Sequence, residues 1–84
     1  MNEYEIVMTG PGVLTTVADI VSHNGGVLMG RIATIPTAKT WACFGLDGKV
    51  IPGEPVTKVG REDNIEGAAD RVYKTWCEQR KEER

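Results

Sequence analysis

Residues 10–26 of this 84-residue chain read GPGVLTTVADIVSHNGG, and the conformation of this stretch decides the fold. Pro11 suits the first turn of a helix, where its missing N–H would be unpaired in any case, and Gly25 and Gly26 tolerate the left-handed conformation that often ends a helix. The apolar residues between these ends follow the period of a helix and not the alternation of a strand. They are Val13, Leu14, Val17, Ile20 and Val21. The sequence therefore predicts a helix at about 11–24.

The pattern outside this stretch predicts three strands. They are expected at about 3–9, 27–35 and 41–46, where β-branched, aromatic and alternating apolar residues are bounded by Gly, Pro or Asp-Gly. Residues 49–51 are expected to fold back as a short added strand after the Asp-Gly turn. Neighbouring strands joined by connections this short should pair antiparallel.

A second helix is expected at about 64–82. Asp63 is the expected N-cap, and Glu66 stands three residues later, as in a capping box. An apolar stripe that includes Trp76 should face the core. The charges at Asp70, Lys74 and Glu78 repeat every four residues on the solvated side.

The predicted element order is strand, helix, strand, strand, helix. This order favours an α+β fold, a two-layer ferredoxin-like sandwich in which both helices cover one face of an antiparallel sheet. We expect a single domain over residues 1–84, with a Pro/Gly-rich connection at 48–62 and a charged tail at 77–84. The other face of the sheet would have no covering layer.

That uncovered face is the expected interaction surface. If Ala42 and Phe44 face the helices, the period of two along a strand sends Trp41 and Cys43 to the opposite side. Such a face is too apolar to stay fully hydrated, so we expect a homodimer formed through it or through a vacant sheet edge. The expected interface residues are Met29, Arg31, Ala33, Trp41 and Cys43.

Composition excludes several classes of function. Ten basic and twelve acidic residues give a net charge of −2, and no basic cluster is present that would neutralise phosphates, so nucleic acid is not an expected partner. No apolar stretch approaches the ~20 residues of a membrane span, and the N-terminus lacks a basic signal-like start, so a cytoplasmic protein is expected. Cys43 and Cys77 lie far apart and outside any CxxC motif, which indicates reduced thiols.

Catalytic motifs are also missing from the sequence. His23 is the single histidine, and its expected place near the end of the first helix suits a structural role better than a catalytic one. Neither a P-loop nor a GxGxxG motif is present, and no residue spacing suggests a metal site. We therefore expect no enzyme activity and no cofactor.

The turn Gly10-Pro11-Gly12-Val13-Leu14, the predicted helix after it and the pair Gly25-Gly26 resemble the ACT domain family. The resemblance covers about residues 4–46. It implies a regulatory domain that pairs with a second copy and binds a small metabolite, often an amino acid, at the interface between the copies. An ACT domain would close with a fourth strand after the second helix, whereas residues 77–84 are too charged for a core strand.

By its position in this motif, the turn would bind the ligand. Glycines let a backbone approach a ligand closely, and the unpaired N–H groups at the start of a helix favour a carboxylate. The simpler alternative is that the glycines only make a tight turn. The ligand-binding residues that the resemblance implies are Gly10, Pro11, Gly12, Val13 and Leu14.

Two functions remain open from the sequence. The first is a non-enzymatic regulatory or binding module, ACT-like, with an amino-acid-like ligand at a subunit interface. The second is a small phage or mobile-element protein that inhibits a host protein complex by binding its surface, as anti-CRISPR proteins do. Small size, mild acidity and an exposed apolar sheet suit this second class, whose partner would be a larger protein.

Overall fold

The computed structural model describes residues 4–11, 16–23, 26–58 and 64–82. Its elements follow the order of five strands and then one helix. The strands are β1 (Tyr4–Pro11), β2 (Thr16–Ser22), β3 (Leu28–Thr34), β4 (Thr40–Phe44) and β5 (Val56–Thr57), and the helix is α1 (Ile65–Glu82).

The five strands form one antiparallel sheet in which chain neighbours are also spatial neighbours, in the order β1-β2-β3-β4-β5. Irregularities of the register follow Met8 in β1 and Ile20 in β2. α1 packs across one face of this sheet, mainly on β3 and β4, and reaches β2. The molecule therefore has two layers, an antiparallel sheet and a single described helix.

The predicted helix at 11–24 is wrong, because residues 16–22 form strand β2. This strand carries apolar side chains on both of its faces. Ile20 is fully buried beneath the helix, whereas Val17 and Val21 lie half-buried on the opposite side. A strand of this kind loses the strict alternation of a half-exposed strand, and its apolar positions then match a helical spacing by coincidence.

The α+β class and the antiparallel sheet are confirmed, while the two-helix ferredoxin-like arrangement is not. The strands expected at 3–9, 27–35 and 41–46 and the helix expected at 64–82 all appear, with ends shifted by a few residues. The chain also folds back after the Asp-Gly turn as expected, but residues 49–51 form no strand, and the added strand is β5, which lies within the expected connection at 48–62. Val50 forms an isolated bridge with Phe44, and the Ile51 N–H donates to the Cys43 carbonyl at 2.8 Å.

The start of α1 is attached to the sheet by Asn64. Its backbone adopts a positive φ of 50°, a conformation that asparagine tolerates better than most residues. Its side-chain Nδ2 donates to the carbonyl of Thr57 in β5 at 3.2 Å. The expected cap Asp63 lies outside the described residues. Of the expected charge series Asp70, Lys74 and Glu78, the structure shows the pair between Lys74 Nζ and Asp70 Oδ2 at 2.9 Å, and no ion pair of Glu78 with another described residue.

The core lies between α1 and the sheet. Its largest fully buried side chains are Ile20, Ile32 and Val72. Partly buried side chains close its margin, among them Trp76, as expected, and Tyr73, whose ring centroid lies 5.2 Å from that of Tyr4. The buried residues that complete the core are Tyr4, Ala18, Met29, Trp41, Cys43, Val56, Ala68 and Ala69. Among the described helices, none has the length and apolar character of a membrane span.

The helix and the sheet approach each other closely at Gly30. A Cβ atom at this position would collide with the Phe44 carbonyl oxygen and would lie 2.6 Å from Cγ1 of Val72. The absence of a side chain at Gly30 therefore lets α1 settle close to β3.

Gly30→Ala should destabilise the protein by about 1–3 kcal/mol, because the added methyl group must push either the helix or β4 aside. Gly45→Ala is the matched control, since a Cβ there meets Asp47 Oδ1 at 3.2 Å in an exposed turn. Urea denaturation of both variants measures the free energies of unfolding. Equal losses for the two variants would contradict the close helix approach at Gly30.

Candidate interaction surface

The orientation of β4 is the reverse of the one expected from the sequence. Trp41 and Cys43 face α1 and are 5% and 4% exposed, and Met29 of β3 is 3% exposed in the same core. Placing these three residues on the uncovered face was therefore wrong. This orientation buries the large indole of Trp41 against the helix, while Phe44 on the other side of β4 stays half-buried.

Arg31 and Ala33 lie on the uncovered face, as expected, and Ala42 and Phe44 lie there instead of facing the helix. Whether this face is an interface stays a prediction. We call it the open face and define it by the side chains that share it through the strand register. They are Glu5, Val7, Val17, Asp19, Val21, Leu28, Arg31, Ala33, Ala42 and Phe44.

Apolar groups dominate the open face. Val7 is 43% exposed and Leu28 is 40% exposed, while Val17, Val21 and Phe44 are half-buried. The solvated face of an antiparallel sheet ordinarily carries polar side chains. At one end of the open face, a groove of about 390 Å³ is lined by residues that include Leu28, Arg31, Phe44 and Leu46.

An ion pair lies at the centre of the open face. Asp19 and Arg31 stand directly opposite each other on β2 and β3, and Arg31 Nε donates to Asp19 Oδ1 at 2.7 Å. The Asp19 side chain is 20% exposed and the Arg31 side chain 54% exposed. Within the described residues, Arg31 makes no other hydrogen bond, so its Nη groups and Asp19 Oδ2 are left to hydrogen-bond with solvent or with a bound partner.

Sequence reasoning identified Arg31 but missed Asp19, Val7 and Phe44. A signal for Asp19 was available, because Asp19, Arg31 and Lys39 are the only Asp, Glu, Lys or Arg residues between positions 6 and 46. Two isolated charges of opposite sign in an apolar region suggest a pair. The assignment of the Asp19 region to a helix concealed this relationship.

The predicted ligand turn is only partly covered by the structure. Gly10 and Pro11 end strand β1, opposite Val17 and Thr16 of β2, whereas Gly12, Val13 and Leu14 lie outside the described residues. Because residues 16–22 are a strand, they supply no helix N-terminus for a carboxylate. The amino-acid-like ligand stays a prediction that would need donors other than that helix.

The other titratable groups have structural surroundings. His23 Nδ1 lies 3.2 Å from Glu5 Oε1, so His23 bridges β1 and the end of β2 instead of ending a helix. The described residues contain no group of three His, Cys, Asp or Glu side chains that could hold a metal ion. A cleft of about 470 Å³ between β5 and α1 mixes both charge signs and includes Arg71 and the Asp70–Lys74 ion pair.

Cys43 and Cys77 are both free thiols, as expected. Cys43 lies beneath the helix, and its Sγ is 3.7 Å from the Ala68 carbonyl oxygen, to which it donates. Burial raises the pKa of the Cys43 thiol above its ordinary value of 9.0, and the charge of Arg71 offsets part of this rise. A protonated thiol in this position is a poor nucleophile.

Comparisons of the chain with protein-family models, with curated proteins and with solved structures find no match. Function has to be argued from the physical chemistry of the described residues. Among them, the open face combines exposed apolar side chains with an ion pair that keeps unused hydrogen-bonding groups.

The raised pKa of Cys43 predicts a pH dependence of stability. The folded state holds the thiol proton more tightly than the unfolded chain, so this contribution is fully present below the unfolded pKa of 9.0 and is lost as pH rises through the raised folded pKa. The advantage in stability of the wild type over Cys43→Ala should therefore shrink between about pH 8 and about pH 10. Urea denaturation at several pH values measures this difference, which should be constant between about pH 6 and about pH 8. A constant difference up to about pH 10 would contradict the burial effect.

Proposed function

We propose that the chain is a non-enzymatic binding module that recognises a protein surface through its open face. One observation carries this proposal. α1 covers one side of the sheet, and the uncovered side presents a mostly apolar surface around the Asp19–Arg31 pair. Contiguous exposed apolar patches on small proteins mark interaction sites.

The apolar side chains would supply most of the affinity. Complete burial of a Val or Leu side chain contributes about 1.5–3 kcal/mol relative to full exposure. Val7 and Leu28 retain 43% and 40% of their exposure, so docking would recover a substantial fraction of this energy at each position. Each such residue contributes about 1 kcal/mol, so many apolar side chains have to be buried together to offset the loss of translational and rotational freedom on association.

The ion pair would supply orientation more than affinity. Charged groups at an interface fix the register of the partners and exclude partners with the wrong charge pattern. Arg31 and Asp19 each keep unused hydrogen-bonding capacity on the exposed side of their mutual bond. A partner that covers them has to bring groups that satisfy both.

The two functions drawn from the sequence both use a protein-binding face. An ACT-like regulatory module would pair with a second copy, and a phage or mobile-element inhibitor would bind a larger host protein. The open face supports the protein-binding step that the two have in common. We keep the amino-acid-like ligand as a separate proposal, because it rests on residues 10–14 and not on this face.

A photo-cross-linking residue tests the proposed function in living cells. Placed at Ala42, which is exposed on the open face, it should give discrete cross-linked protein species. Placed at Glu78, which is exposed on α1, it should give little or no such product. Equal yields from the two positions would contradict binding through the open face.

Two adjacent substitutions sharpen this test. Val7 and Met8 are exposed to 43% and 56%, but Val7 belongs to the open face and Met8 to the other side of β1. Val7→Lys should reduce the yield from position 42 about tenfold, since a desolvated ammonium opposes docking by more than 1 kcal/mol. Met8→Lys should leave the yield unchanged. Circular dichroism should show that both variants keep the fold, and an equal effect of both would count against the proposal.

A further inference from the structure

We propose that the partner of the open face is a second copy of this chain, docked face to face about a twofold axis that runs parallel to the strands. This inference rests on the proposed function and names its partner. It follows from the order of the side chains across the face.

The central row of the open face has a self-complementary order. Val7, Asp19, Arg31 and Phe44 stand in register on four successive strands, β1 to β4. A twofold rotation about an axis parallel to the strands, placed between β2 and β3, reverses this order in the second copy. Arg31 then faces Asp19 of the second copy, and Val7 faces Phe44 of the second copy.

The rows on either side follow the same rule. Val17 pairs in register with Ala33, so the rotation places Val17 against Ala33 of the second copy. Val21 pairs with Leu28, and the rotation places Val21 against Leu28 of the second copy. In these two rows the apolar residues of β2 and β3 thus meet apolar residues, and the charged pair meets its own complement. Glu5 of β1 lies at the edge of the face, 3.2 Å from His23 of its own chain.

The unused hydrogen-bonding groups fit this arrangement. Arg31 uses Nε for Asp19 of its own chain, and its Nη groups have no hydrogen-bond acceptor among the described residues. Packed sheets lie about 10 Å apart, a span that an Arg and an Asp side chain can bridge together. Each guanidinium would then bond one carboxylate in its own chain and one in the second copy, forming a ring of two acids and two bases.

Other partners satisfy the face less completely. A nucleic acid or an acidic protein surface would pair with Arg31 but would bring negative charge against Asp19. A basic surface would do the reverse. A partner has to bring one acid and one base in the right order, and a second copy does so by symmetry.

The size of the face sets the strength of the dimer. Strands about 4.8 Å apart with a rise of about 3.3 Å per residue give four strands of the open face roughly 450 Å² in projection. This is about half of the ~800 Å² that each partner buries in a standard interface. The dimer should therefore be weak, with a dissociation constant in the micromolar range.

Complementary charge reversals provide the test. Asp19→Lys gives a chain with two bases at the centre of the face, and Arg31→Glu gives a chain with two acids. Each variant alone should be at least about tenfold weaker in self-association than the wild type by sedimentation equilibrium. An equimolar mixture of the two should recover a one-to-one heterodimer, because each chain then offers what the other lacks.

Two controls separate folding and net charge from the interface. The double variant Asp19→Lys/Arg31→Glu restores the ion pair within each chain and should dimerise like the wild type, even if the single variants fold poorly. Glu78→Lys changes the net charge by the same amount as Asp19→Lys but lies exposed on α1, so it should not weaken the dimer.

The outcomes distinguish this inference from the proposed function. A wild type that sediments as a 9.2 kDa monomer at about 200 µM, well above micromolar dissociation constants, would overturn the second copy as partner. So would a dimer that tolerates both single variants, because it would use a sheet edge or another surface. If position 42 still cross-links to a different protein in either case, the binding function of the open face stands. If position 42 gives no cross-link, the proposed function fails as well.

Discussion

Gly30 of β3 has no side chain, and Val72 of α1 lies where a side chain at this position would be. This close approach holds the helix over β3 and β4 and buries Ile32 and Cys43 beneath it. One helix placed here can cover one face of a five-stranded sheet and not both. The exposed chemistry of the opposite face, with Asp19 at its centre, is therefore a direct result of where the helix lies.

The sequence was sufficient to predict those helices and strands whose ends are marked by turn or helix-ending residues. Pro36 ends the region of β3, and the Asp47-Gly48 turn reverses the chain after β4. The apolar stripe of α1 is long and lies opposite a charged side of the same segment. This pattern has the period of a helix, and a strand would not separate the two kinds of residue. In each case the local preference and the final environment agree.

The first hairpin was not predictable in the same way. Strand β2 has apolar residues on both faces because it lies between the helix on one side and the open face on the other. Its valines and isoleucine consequently satisfied a helical period, and Pro11 and Gly25 supplied misleading helix ends. The apolar residues on the second face of β2 are the reason that a helix was predicted at 11–24, and they also form part of the candidate interaction surface.

The orientation of β4 could not be predicted from the sequence for a different reason. Alternation between Trp41 and Ala42 is visible in the sequence, but alternation does not say which side faces the helix. Both sides carry an aromatic residue, Trp41 on one and Phe44 on the other. The choice depends on packing against α1, a contact between residues far apart in the chain. Trp41 and Cys43, two of the five expected interface residues, were misplaced for this reason, and Met29 was misplaced because the register of β2 and β3 shifts beside it.

The buried Cys43 thiol can report, through its rate of chemical labelling, how often α1 separates from the sheet. Its sulfur lies under the helix against the Ala68 carbonyl, so an alkylating reagent can reach it only when α1 separates from the sheet. When the helix closes again faster than the reagent attacks, the rate of labelling reports the equilibrium population of the open form. The half-buried Cys77 on the same helix provides an internal reference for reagent access. One chain thus carries both a probe of helix undocking and its own standard, without any added label.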